Sequence, residues 1–394
     1  MKVRFNKFRR ITKYSVVLIV AIILAVTISG YIEMSKDRTI VIHSEKEEKE
    51  FLKEEETDLN VKNIYRRYTY GSFIRSNIIG WMDNENILEI REEDKKRSLN
   101  KVNYKYDFYS TVMNLKGEGR YGHFKLSPNG KKLIYTYNND IRNKTKFFMR
   151  DLENSNETLI YESQYSSHNE TISFSNNSKY MLLFIGNDFS SKLNKIIIYE
   201  LENGGSREIA VDEWNNTYKF SPAKISNDGK KALVIGEDSK EVALYSVDLH
   251  KDTLKNNDRK KITNLTYGNV EFVDEDRIAF MTFKNNSLGI YDDETGKTYC
   301  PVGIIDNFKI SHNSKYIIYS KYIEKKGSYN VYCGKLQGNK IINSKLIYQN
   351  FKPFDILWST DNKKVIATGY TYDAKKDYSS NSIMDHHYII IEFK

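Results

Sequence analysis

The chain has 394 residues, 40% of them hydrophobic, with 30 Tyr and 19 Phe, so it can bury a sizeable core with a strong tendency to form strands. Its net charge is +9, but six of those charges (Lys2, Arg4, Lys7, Arg9, Arg10 and Lys13) stand before residue 14 with no acid among them. The rest of the chain carries only +3 of mixed sign, which excludes a basic nucleic-acid-binding domain, and 4 Pro exclude a Pro-rich stalk.

Residues 1–13 read as a short cytoplasmic tail. Tyr14 to Ile32 then form an uncharged stretch, close to the ~20 residues a helix needs to cross a bilayer. Tyr14 and Tyr31 sit at its two ends, where aromatic rings favour the interface. The basic N-terminal flank orients it with the N-terminus in the cytoplasm and the bulk of the chain outside. A cleaved signal peptide is the other reading, but its apolar core would usually span about 7–15 residues. The length therefore favours an uncleaved transmembrane helix over 14–32. Residues 33–60 are charged, as in Glu45-Lys46-Glu47-Glu48-Lys49-Glu50, and read as a spacer.

From residue 61 the chain is written in repeats. FKLSPNGKKLIYTY (124–137) returns as ISFSNNSKYMLLF (172–184), AKISNDGKKALVIG (223–236), FKISHNSKYIIYSK (308–321) and ILWSTDNKKVIATG (356–369). GWMDNENILEI (80–90) and VEFVDEDRIAFMTF (270–283) keep the layout without the Ser and Gly. The aligned positions Met82, Ser127, Ser175, Ser226, Val273, Ser311 and Ser359 are spaced by 45, 48, 51, 47, 38 and 48 residues, the period of propeller blades. Each phrase reads as a hairpin: a strand ending at the Ser, an Asn-Gly or Asp-Gly turn at positive φ, a solvated Lys pair, then an apolar strand. Further strands follow, as in TKFFMRDL (145–152) and ETLIYES (157–163), or KIIIYEL (195–201) and SREIAV (206–211) around Gly204-Gly205. The last repeat is one strand short, and NIYRRYTYGSF (63–73) is a spare strand able to complete it and close a ring. The expected fold is an all-β, seven-bladed propeller over 61–394, with six blades and an irregular N-terminal segment as the alternative.

The phrases LSPNGKKLIY and ISNDGKKALV resemble the WD40-like repeat of TolB-type β-propellers. The resemblance covers about residues 61–394; Pro is kept only at Pro128, and Gly only at Gly130 and Gly229. It implies a bacterial propeller acting as a binding scaffold, an envelope module or a gate beside a peptidase. A gated peptidase would need a G-x-S-x-G elbow and a hydrolase domain, and the sequence holds neither.

Of seven His, only Asp385-His386-His387 cluster, and adjacent strand residues point to opposite faces, so no metal or cofactor is expected. Asp292-Asp293-Glu294-Thr295-Gly296 reads as a hairpin turn rather than a Ca²⁺ loop. Cys300 and Cys333 read as two separate thiols, with a single bridge as the alternative. Insertions at 186–194 and 369–386 fall on the face opposite the Ser turns. The second carries Tyr370, Tyr372, Asp373, Tyr378, Asp385 and His386, a mixture that suits recognition. The expected function is thus a non-catalytic, membrane-anchored module outside the cytoplasm that recognises a protein or cell-envelope ligand. The alternatives are an enzyme acting on envelope polysaccharide or peptide in the central funnel, or a sensor subunit working through a membrane partner.

Overall fold

The computed structural model describes residues 40–42, 59–68, 78–93, 96–106, 108–115, 120–139, 144–163, 171–185, 194–211, 224–237, 241–282, 285–371 and 386–394. The 14–32 segment and most of the 33–60 spacer lie outside them. Among the described residues no helix is long and apolar enough to cross a membrane. They are nearly all β, with two single-turn 3-10 helices at Asn256–Asp258 and Glu324–Lys326.

Each repeat folds as an antiparallel meander. In the Ser127 repeat the strands Arg120–Leu126, Lys132–Asn139, Lys144–Asp151 and Glu157–Ser163 pair in sequence order. The long strand Arg259–Phe272 serves two meanders: Arg259 to Asn264 pairs backward with Val242–Asp248, and Val270 to Phe272 pairs forward with Arg277–Thr282. The first strands of successive meanders touch in cyclic order, and Phe351–Trp358 of the final repeat touches Ile78–Trp81 of the first.

The second strands carry unbroken apolar runs because both of their faces are covered; in Tyr180–Ile185 every residue after Tyr180 is buried. Each hydrophobic cluster is accordingly built from two neighbouring sheets. One joins Ile366, Tyr388 and Ile390 near the C-terminus to Ile87, Val102 and Tyr104 of the first repeat. Outer strands such as Lys297–Ile304 are mostly exposed. Cys300 lies exposed on that strand and Cys333 is buried elsewhere; both are free thiols. Burial pushes the Cys333 thiol well above its ordinary range.

The recurring turn has one construction. In the Ser311 repeat the serine Oγ donates to Asn313 Oδ1 at 2.7 Å and accepts the Tyr316 backbone N–H at 2.9 Å. Asn313 Oδ1 also accepts the Lys315 N–H at 3.1 Å, and the Ser314 N–H donates to the Ser311 carbonyl. The same bonds recur around Ser127, Ser226 and Ser359, with Asn129, Asp228 and Asp361 in the Asn313 place. The positive φ falls three residues after the turn Ser whatever stands there: Gly130, Ser178, Gly229, Ser314 and Asn362. The two degenerate copies are one residue shorter. There Asp83 and Asp274 accept the N–H groups of Asn86 and Arg277, which replaces the missing hydroxyl.

The Lys pair departs from the expected solvated state. The second lysine is held: Lys132 meets Asp151 at 2.8 Å, and Lys231 reaches Asp276 and Asp293 of the next repeat. Lys364 is buried, with its ammonium 5.7 Å from the centre of the Tyr104 ring. Turns also bond to their neighbours around the ring. The Asn129 N–H donates to Ser178 Oγ, and Thr360 Oγ1 donates to Asn84 Oδ1 between the last repeat and the first.

The spare strand is Val61–Tyr68, and it pairs antiparallel with His386–Phe393, completing the final sheet as expected. Asn63 donates to Glu392 at 2.9 Å, and the buried Arg67 donates to the carbonyl oxygens of Asn103 and Tyr104 in the first repeat. Ile40–Ile42, inside the expected spacer, adds a further strand beside Val61–Tyr68.

Two substitutions test the turn. Ser311→Ala should cost about 1–3 kcal/mol in urea unfolding, because the half-buried Tyr316 N–H loses its acceptor, the buried Ser311 hydroxyl. A Cβ on Gly130 would stand 2.0 Å from the Met82 carbonyl oxygen, whereas one on Gly204 meets nothing within 4 Å. Gly204→Ala should therefore cost only the left-handed backbone penalty of about 1–2 kcal/mol, and Gly130→Ala clearly more.

Candidate functional site: the central channel

The first strands enclose a cavity of about 490 Å³ on the ring axis. The position two residues before each turn residue contributes to its wall. Reading round the ring, that position holds Gly80, Lys125, Ser173, Lys224, Glu271, Lys309 and Leu357. Three lysines and one glutamate thus share one level of the fold.

Glu271 is the centre of this group. Its carboxylate is 5% exposed, and Oε1 takes Lys224 Nζ at 3.1 Å and Lys309 Nζ closer still. Burial alone would raise the Glu271 carboxyl, but the two ammonium groups outweigh it and hold it at about 2. Burial pushes the Lys224 ammonium down to about 8, against the attraction of Glu271 and with added repulsion from Lys309 and Lys125. Lys309 is buried too, yet its pairing with Glu271 and the nearby Asp355 keeps its proton bound above the ordinary lysine range. His312 also lines the cavity. Burial and then Lys309 lower it to about 4, so at neutral pH it carries no charge. Its Nε2 lies 3.2 Å from the Trp358 carbonyl, which can only accept, so Nε2 carries the proton.

Above this level an asparagine ladder ties the strands. Asn269 donates to Asn307 and to the Phe308 carbonyl, and Asn307 donates to the Phe354 carbonyl at 3.1 Å. The channel wall is thereby fixed by side chain to backbone bonds between strands that share no sheet ladder. Among the described residues no group of three or more His, Cys, Asp or Glu could hold a metal ion.

On the face opposite the turns the first strands begin and the second strands end. There the strand Lys364–Thr371 runs past the expected loop start at Gly369 and takes in Tyr370. Tyr370 is 8% exposed, with its ring 5.1 Å from that of Phe354, which is 54% exposed. Lys352 Nζ donates to Tyr329 Oη at 3.2 Å, and Tyr329 packs 5.1 Å from Tyr322, which is 41% exposed. His386 opens the last strand opposite Tyr370. Tyr372, Asp373, Tyr378 and Asp385 lie outside the described residues. Of the residues expected to bind, the fold thus places Tyr370 and His386 side by side in one sheet.

The channel lysines were not among the expected site residues, yet the sequence carries their signal. FKLS, AKIS and FKIS each put a Lys two residues before the turn Ser, inside an otherwise apolar strand. An apolar strand admits a lysine at a repeated position only where the ammonium finds water or a counter-charge.

Removing the Glu271 charge tests this network. Glu271→Gln should cost about 2–4 kcal/mol at neutral pH, because Lys224 and Lys309 would then face each other without a counter-ion. Glu271 is ionised more readily folded than unfolded, so its contribution is complete above about pH 4.5 and is lost as pH falls through about 2. The wild type should lose stability across that window in acid denaturation, and Glu271→Gln should flatten the slope.

No protein-family model matches the sequence, and no curated protein does. Solved structures do match. The β-propeller domain of the Trilobed protease from Pyrococcus furiosus superposes with a TM-score of 0.50 at 15% identity, over 77% of this chain and 99% of that one. An oligogalacturonate lyase in complex with manganese gives a TM-score of 0.52 at 12% identity, over 84% of this chain and 93% of that one. TolB from Acinetobacter baumannii aligns at 15% identity over 66% of each chain with a TM-score of 0.40. At these identities likeness speaks to the fold alone, and here it rests on the first two structures. Together with the cyclic contact of the first strands, it establishes that the chain is a β-propeller, the fold that its TolB-like repeats imply.

Proposed function

We propose that the protein is a non-catalytic binding module, a seven-bladed propeller held outside the cytoplasmic membrane of a bacterium by residues 14–32. Its ligand is a protein or a component of the cell envelope, taken at the face opposite the Ser turns. The observation that carries this reading is the aromatic cluster on that face, where Phe354 and Tyr322 are exposed and Tyr329, Lys352 and Tyr370 join them. Exposed aromatics beside a lysine suit a recognition surface better than a solvated one. The 372–385 insertion leaves from the same place, and we assign Tyr372, Asp373, Tyr378 and Asp385 to that surface. Seven first strands in cyclic contact support the blade count.

The test is cross-linking in intact cells with the full-length chain, followed by purification and mass spectrometry. The wild type should capture a specific partner. Phe354→Ser and replacement of 372–385 by a short Gly/Ser turn should each lose it while the protein level stays unchanged. Capture that survives both changes would overturn the assignment of this face. A C-terminal reporter active only outside the cytoplasm should be active on the wild-type chain, and inactive when residues 1–32 are removed.

A further inference from the structure

The charges of the channel do not balance evenly round the ring. Lys309 faces two carboxylates, Glu271 in direct contact and Asp355 nearby, and Lys224 shares Glu271 with it. Lys125 is exposed, and its ammonium makes no hydrogen bond or ion pair among the described residues. His312 adds no positive charge at neutral pH. The unbalanced positive charge therefore lies on the side of Lys125 and Lys224, which are near enough for Lys125 to weaken the hold of Lys224 on its proton.

Between these two lysines the ring places Ser173, at the same level of the intervening repeat. It is the smallest polar side chain of that level, and its Oγ has only a long contact of 3.5 Å with the carbonyl of Phe174. A hydroxyl donor with spare capacity thus lines the cavity of about 490 Å³ in the repeat between those that carry Lys125 and Lys224. Lys224 shares its one carboxylate with Lys309, and Lys125 has none among the described residues, so the two ammonium groups repel; an anion placed between them removes that repulsion while accepting from all three donors.

We propose that the channel binds a small anionic group, a carboxylate or a phosphate, seated against Ser173 between Lys125 and Lys224. This rests on the reading of the protein as a binding module and adds the chemistry of what enters the ring. The Glu271 ion pairs are the fixed part of the site, because they anchor Lys224 from the far side. Lys125 is the adjustable part, since among the described residues nothing else holds its ammonium.

The site carries a proton signature. An anion beside Lys224 strengthens its hold on the proton, so near pH 8, where Lys224 is part-deprotonated, binding takes up protons from the buffer.

The experiment is calorimetric titration of the full-length chain in detergent with inorganic phosphate, citrate and uncharged glucose, at constant ionic strength and pH 8. At least one anion should bind saturably, glucose should not bind, and the heat should change with the ionisation enthalpy of the buffer. Lys125→Met and Ser173→Val should each weaken binding at least tenfold while leaving the urea midpoint unchanged. Phosphate binding without citrate binding, or the reverse, tells which anion the site takes. Saturable binding by neither anion, equal affinity in Lys125→Met, or absence of proton uptake would each overturn the proposal. Phe354→Ser should leave these titrations unchanged, so failure of the channel site and failure of the aromatic face give different results.

Discussion

Everything in this ring hangs on a buried hydroxyl that does two jobs. The turn serine donates to the Asn or Asp two residues on and accepts the N–H of the residue that starts the next strand. Those two bonds set the hairpin register, and register in a sheet is unforgiving. A slip of one residue would turn every side chain to the opposite face. The lysines two places before the serine would then leave the channel, and the apolar residues between them would take their place. The same hydroxyl therefore fixes both the core and the charge of the cavity. Where it is absent, Asp83 and Asp274 hold a turn shortened by one residue.

The channel group is a balance of opposed effects. Taking Glu271 and two lysines out of water is costly, and the ion pairs return that cost only because both ammonium groups reach one carboxylate. Hydrophobic replacements of similar size would hold the strands together at least as well. The network is thus weak evidence for stability and better evidence that this part of the ring needs its charge.

Much of this was legible in the sequence because the fold is repetitive. The turn phrase, its period and the spare strand near residue 63 rest on local chemistry repeated several times, and the structure uses them as read. What stayed hidden depended on contacts between distant residues. Gly369 reads as the start of a loop, but its missing Cβ is what lets the Lys352 carbonyl approach; a Cβ there would meet that oxygen at 2.1 Å. The strand consequently continues through Tyr370, and a residue expected on the surface is buried. The second lysine of the turn reads as solvated, yet Lys231 finds Asp276 and Asp293 in the next repeat. The channel lysines were visible in FKLS, AKIS and FKIS, but only once the repeats are compared at a single position rather than searched for acids.

The pairing of Val61–Tyr68 with His386–Phe393 joins residues about 330 apart, as in the contact of Lys62 with Glu392. Loop-closure entropy rises only slowly with length, by about 0.6 kcal/mol per doubling, so the finished ring bears this easily. Its making is another matter. During synthesis Val61–Tyr68 emerges long before His386–Phe393 exists, so the edge that will meet it stays unpaired, while the short Ile40–Ile42 is already at hand for the other. Every other sheet can form from neighbouring sequence as it appears, whereas the last must wait for residue 393. For most of the time the ribosome spends on this chain the nascent ring is an open arc, and the edge left waiting near its start is the one that finally closes it.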